Sequence, residues 1–209
     1  MENIATLNEP LSKKDLVIGT VITLALGTTF TLLSSGMSLI VTFVPGVIVT
    51  WLVYVWLYTK GKKLPDGRNF LPLFFTTLSV QFLHFAEEFA TGFRTQFPLL
   101  YGGKPYSANL FVIFNMISYF IFTLACILVF TKKIRFLLVP VLFYIIYGAI
   151  GNAISHTYWS LSLQSYFPGL VTAQLYWILG SLILYKLIGD RKEVLTIVIL
   201  FTFVLTAVQ

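Results

Sequence analysis

Residues 108–130 read ANLFVIFNMISYFIFTLACILVF, twenty-three residues without a charged side chain, and Lys132, Lys133 and Arg135 follow at once. About 20 mostly apolar residues, each rising 1.5 Å, span the hydrocarbon core of a bilayer. A surface helix of a soluble domain carries a polar face along such a length. The stretch therefore predicts a transmembrane helix, and the rest of the chain repeats its pattern. Of the 209 residues, 57% are hydrophobic, 17% aromatic and only 11% charged; mean hydropathy is +0.87. A soluble domain is nearer a quarter charged.

Six further windows qualify by the same reasoning: roughly Leu16–Leu33, Leu39–Tyr58, Phe70–Phe89, Phe136–His156, Gly169–Ile188 and Val194–Val208. The expected fold is all-α, a polytopic membrane bundle of about seven transmembrane helices. A single integral membrane domain over residues 1–209 is expected, with no linker, internal repeat or cleavable signal peptide. The lone cysteine, Cys126, excludes an intrachain disulfide and is expected to serve packing.

Loop charges orient the bundle. With the N-terminus inside, Lys13, Lys14, Lys60, Lys62, Lys63, Arg68, Lys132, Lys133, Arg135, Lys186, Arg191 and Lys192 fall on one side. Of the fourteen basic residues, only Arg94 and Lys104 fall on the other. Short cytoplasmic loops carry the excess of Lys and Arg, so the expectation is N-in and C-out. The net charge of +6 arises from these loops and does not indicate nucleic acid; the partners expected are the bilayer and a lipid or amphiphilic small molecule.

Against this background residues 81–93, QFLHFAEEFATGF, stand out. Of eight carboxylates, Glu2, Glu9, Asp15, Asp66, Asp190 and Glu193 lie in termini or loops, while Glu87 and Glu88 lie in a window. Both histidines, His84 and His156, also lie in windows. An ionisable group within a membrane is costly and marks function by default. At about 100° per residue, Thr77, Gln81, His84, Glu87, Glu88 and Thr91 share one third of the helix surface, with Phe82, Leu83, Phe85 and Phe89 elsewhere. Asn152 and His156, four apart, share another face, and Asn115 and Tyr119 a third. Both histidines fall toward the outer ends of their helices, His156 the shallower by residue counting. A cavity near the outer leaflet, built by the third to sixth windows, is expected, with Tyr158, Trp159, Tyr166 and Phe167 at headgroup level.

His84-Phe-Ala-Glu87-Glu88 reads H-x-x-E-E, Asn152-Ala-Ile-Ser-His156 reads N-x-x-x-H, and Tyr166-Phe-Pro168-Gly169 reads Y-x-P-G. In this order they resemble the bacterial HXXEE-motif integral membrane family, over about Phe70 to Tyr185. The resemblance implies a membrane enzyme of unassigned activity, in the plasma membrane of a bacterium.

The residues themselves suggest chemistry. Zinc takes imidazole nitrogen and carboxylate oxygen, and catalytic sites keep one position open. His84, Glu88 and His156 are the expected ligands of a divalent metal such as zinc, with Glu87 as general base, Asn152 orienting a ligand and Tyr166 at the entrance. The corresponding activity is a metal-dependent hydrolase or transferase acting on a lipid or amphiphile. Three alternatives use the same residues. One is metal-free acid–base isomerisation or cyclisation of an isoprenoid or sterol-like lipid. Another is a proton-coupled transporter or ligand-binding membrane protein. In the third the glutamates merely pair with Arg94 at the interface while Asn152 and Gln81 satisfy the histidines.

Overall fold

The computed structural model describes residues 9–209; Glu2 lies outside them. Among the described residues regular structure is entirely helical: α1 Lys13–Leu33, α2 Ser38–Thr59, α3 Gly67–Thr91, α4 Phe93–Leu100, α5 Ala108–Lys132, α6 Leu138–Phe143, a π-helical segment Tyr144–Gly151, α7 Asn152–Leu163, α8 Leu170–Ala173, α9 Leu175–Ile188 and α10 Arg191–Val208. Polar residues in the loops start the helices. Ser12 and Asp15 form a reciprocal capping box on α1. Asp66, Ser107 and Asp190 cap α3, α5 and α10 by accepting backbone N–H groups, satisfying donors that a helix end leaves free.

Five helical stretches are long and apolar enough to cross a membrane: Lys13–Leu33, Ser38–Thr59, Ala108–Lys132, Arg135–Leu163 and Leu170–Ile188. This corrects the expected seven. Helix α3 is diluted by its polar stripe, and α10, only 18 residues long, begins with Arg191, Lys192 and Glu193. The stretch Arg135–Leu163 also runs past the expected end at His156, which places His156 well inside the helix and removes the mismatch in depth with His84.

That stretch forms the centre of the bundle, with α6 and the π segment almost wholly buried. Its widened middle has a local cause. Gly148 and Gly151 leave space where the rings of Tyr144 and Tyr147 lie back along the helix; a Cβ on either glycine would come within 2.8 Å of a ring carbon. Gly46 of α2 likewise admits the Tyr147 ring from across the interface. Helix α9 packs on the π segment, α2 and α5 on α6, and α3 on α9 and α5. The outer faces remain apolar and exposed, as with Phe82 and Leu83 on α3 and Ile113 and Phe120 on α5. A continuous apolar exterior of this kind is a lipid-facing surface.

The two ends differ in chemistry. At one, Lys62 Nζ pairs with Glu193 at 2.9 Å, and Arg135 lies 3.6 Å from Glu9. At the other, uncharged hydrogen bonds tie the loops. Tyr106 lies 2.9 Å from both Ser35 N and Ser38 Oγ, and Trp159 Nε1 donates to Tyr101 at 2.7 Å. Arg94 donates to the Tyr106 carbonyl at 3.1 Å; among the described residues no ion pair joins it to either glutamate, so the interfacial pairing with Arg94 is not what the structure contains.

Candidate metal centre

Helix α3 buries one stripe. Thr77, Gln81, His84 and Glu88 are almost fully enclosed, while Phe82, Leu83 and Phe89 are exposed. Turn by turn the i, i+3 and i+4 spacing aims these polar groups inward. His84 and Glu88 meet His156 from α7. The two imidazole rings lie 4.8 Å apart, nearly perpendicular. Each His Nε2 is 3.4 Å from the same oxygen, Glu88 Oε1, and neither makes a hydrogen bond. The three ligand atoms lie within 4.8 Å of one another.

Glu87 points elsewhere. Its Oε1 accepts from Tyr166 Oη at 2.8 Å and Val171 N at 2.9 Å; its Oε2 accepts from Thr172 N at 2.8 Å and from Thr172 Oγ1. Thr172 Oγ1 in turn lies 2.9 Å from His84 Nδ1. A hydroxyl has one proton, and an ionised carboxylate only accepts. The Thr172 proton is therefore committed to Glu87, and the oxygen accepts from His84 Nδ1–H. In neutral His84 this leaves Nε2 as a bare lone pair facing Glu88. Adjacent glutamates thus do different work: Glu88 meets the histidines, while Glu87 fixes, through one hydroxyl, which nitrogen of His84 is free.

A family model described as a protein of unknown function with HXXEE motif matches residues 75–184, more than half of the chain. The chain belongs to the HXXEE-motif family. No curated protein and no solved structure matches it. In this HXXEE chain the motif residues are His84, Glu87 and Glu88.

The other quoted motifs gain a physical reason. Gly169 has φ +89°, and a Cβ there would stand 2.6 Å from His156 Cε1 and 2.9 Å from Glu88 Cγ. Only glycine takes this backbone conformation freely, and only glycine lets the loop close over the histidine and glutamate. Tyr166 holds the same loop to Glu87. Asn152 lies one turn from His156, donates to the Gly148 carbonyl at 2.9 Å, and lines a cavity that opens at Glu88. Trp159 and Phe167 are corrections: both are buried, packed against the His156 ring with Phe93 of α4, and do not sit at an interface. The cavity also draws on Phe30, Leu33, Leu39 and Phe43 of α1 and α2, outside the windows expected to build it.

Thr172 is the functional residue that the sequence conceals. Threonine is common along the chain and carries no signal of its own; only the closeness of Leu170–Ala173 to α3 gives it a role. Replacing Thr172 by valine removes the acceptor for His84 Nδ1 while keeping shape. Loss of such an outer-shell partner costs about 10–100-fold in metal affinity, and Thr172→Val is expected to fall in that range by competition with a chromogenic zinc chelator. Unchanged affinity would deny Thr172 the orienting role.

Proposed function

We propose that this protein is a membrane-embedded metal-dependent enzyme, a hydrolase or transferase acting on a lipid or amphiphile, with His84, Glu88 and His156 holding a divalent ion such as zinc. The observation that carries this reading is the pair of 3.4 Å separations between two imidazole Nε2 atoms and one carboxylate oxygen. A charge-assisted hydrogen bond closes to about 2.7–2.9 Å. Two ligand atoms at zinc bond lengths of about 2.0–2.1 Å in tetrahedral arrangement stand roughly 3.3–3.4 Å apart. Orientation of His84 by Thr172 and Glu87 matches the outer shell that metal-ligating histidines ordinarily have.

The ion would supply Lewis acidity. The chain supplies the rest. Glu87, put forward by the sequence as base, has four donors on its two oxygens, and we assign it to positioning His84 and the Tyr166–Gly169 loop. Asn152 presents its amide to a molecule in the cavity, and Tyr166 holds the loop through Glu87. Burial of Trp159, Phe167 and Phe93 around His156 keeps water from all sides but the cavity. We place the lysine-rich end in the cytoplasm, on the distribution of basic loops, with the His–Glu group toward the opposite leaflet.

Titration of zinc into chelator-stripped protein tests the assignment. Ligands must be deprotonated, so binding releases protons and weakens as pH falls; binding that is absent, or indifferent to pH, counts against it. The same His–Glu contacts also suit a metal-free enzyme in which Glu88 and the imidazoles exchange protons during isomerisation or cyclisation of an isoprenoid-like lipid. Turnover that survives complete removal of divalent ions would favour that second reading.

A further inference from the structure

The cavity that begins at Glu88 runs inward between α2, α5 and the π segment, with a volume of about 90 Å³. Two features of its wall define what it accepts. The first is charge. Among the described residues that line it, Glu88 is the sole ionisable carboxylate, and no Lys, Arg or His joins it. A phosphate or carboxylate headgroup drawn into this space would find no cation on the wall, and a buried charge without a partner is strongly disfavoured.

The second is hydrogen-bonding capacity. Most polar groups on the wall are already engaged. Gln81 accepts from Tyr176 at 2.7 Å and donates to Tyr119 at 3.2 Å; Tyr119 donates to Asn115 at 3.1 Å. Asn115 and Ser118 donate to backbone carbonyls of their own helix. Tyr144 and Asn152 are different. The Tyr144 ring is fully buried, yet its hydroxyl makes no hydrogen bond. Asn152 uses its amide on Gly148, and its carbonyl oxygen has no donor among the described contacts. Tyr144, Gly148 and Asn152 are successive positions four apart, all three line the cavity, and Gly148 leaves the gap between the other two. An O–H donor and a C=O acceptor thus face one aromatic space, with Phe111, Phe114 and Phe143 opposite.

We infer that the cavity binds an uncharged lipid carrying a hydroxyl or carbonyl oxygen, a long-chain alcohol or ester, and excludes anionic headgroups. Tyr144 donates to that oxygen, Asn152 accepts from a hydroxyl, and the rings of α5 pack on the chain. As a statement about substrate this rests on the enzyme reading above; as a statement about binding it needs no metal.

Photolabelling separates the two. Purified full-length protein in nanodiscs is irradiated with a diazirine-bearing long-chain primary alcohol, and labelled peptides are mapped by mass spectrometry. The expected result is saturable labelling within residues 111–122 or 143–152, displaced by unlabelled alcohol and at least about tenfold less effectively by the carboxylic acid of the same chain. Tyr144→Phe should weaken labelling several-fold without lowering thermal stability, since a hydroxyl without a partner contributes nothing to the fold. His156→Ala, measured for metal in parallel, should keep its labelling. Labelling that persists in a wild-type protein devoid of metal would sustain the lipid site and remove the metal. Equal displacement by the acid, full labelling of Tyr144→Phe, or no saturable labelling of the wild type would overturn the inference, whatever the metal content.

Discussion

His156→Ala is expected to insert and fold while losing its divalent ion. The residue is one of two imidazoles facing Glu88 Oε1 at 3.4 Å, and it contributes little to a core made of Phe, Leu, Ile and Tyr. Outer-shell substitutions already cost about 10–100-fold in metal affinity, so removal of a ligand should exceed about 100-fold. Glu88→Gln should behave alike, because an amide cannot supply the anionic oxygen that the two Nε2 atoms share. Glu87→Gln should be milder: it removes the anion that takes the Thr172 proton, but none of the three ligand atoms. Metal content of the purified variants, read with their thermal unfolding midpoints, checks all three. Equal metal in His156→Ala and wild type would remove His156 from the ligand set; equal loss in Glu87→Gln and Glu88→Gln would erase the division of labour between the adjacent glutamates.

Gly169→Ala should be the most damaging single methyl group in the chain. The left-handed conformation costs an L-residue roughly 1–2 kcal/mol, and the added Cβ would stand 2.6 Å from His156 Cε1 and 2.9 Å from Glu88 Cγ. Neither neighbour is a free flexible tip, since His156 is wedged among Trp159, Phe93 and Phe167. A total near 2–4 kcal/mol is expected, backbone and crowding terms together. The same displacement should pull His156 from Glu88 and lower metal affinity well below that of Gly189→Ala. That control has nearly the same strain (φ +82°) but nothing within 4 Å of its added Cβ. Similar losses in the two variants would show that backbone strain alone matters at Gly169.

Charge and periodicity made much of this legible. A run such as residues 108–130 has no alternative to a helix crossing a membrane, and the ladder His84, Glu88 with Gln81 and Thr77 announces a buried face through spacing alone. The convergence of His84, Glu88 and His156 follows from each occupying the polar face of its own helix. Other features depend on tertiary neighbours. The aromatics Trp159 and Phe167 suit a headgroup region and an interior equally well; the choice falls to the interior because α4 brings Phe93 and Phe97 over them. Pro140 hinted at an altered helix, but the π segment needs the fit of the Tyr144 and Tyr147 rings over Gly148 and Gly151, which no period reveals. The count of apolar spans fell from seven to five because a helix that carries the site, α3, sacrifices hydropathy to do so. Glu87 and Glu88, indistinguishable as letters, are separated by 100° of helix, enough to send one to the histidines and the other to the backbone of α8.

The central claim is that two histidines and one glutamate form a metal site, and it is tested most directly by the metal content of the wild-type protein. Protein purified in detergent without added metal or chelator, and passed through a metal-free column, should contain about one equivalent of zinc or another divalent ion per chain by inductively coupled plasma mass spectrometry, as a closed three-ligand site requires. Less than about a tenth of an equivalent, with no stoichiometric uptake when zinc is supplied, would contradict it and leave Glu88 and its two histidines as an acid–base group.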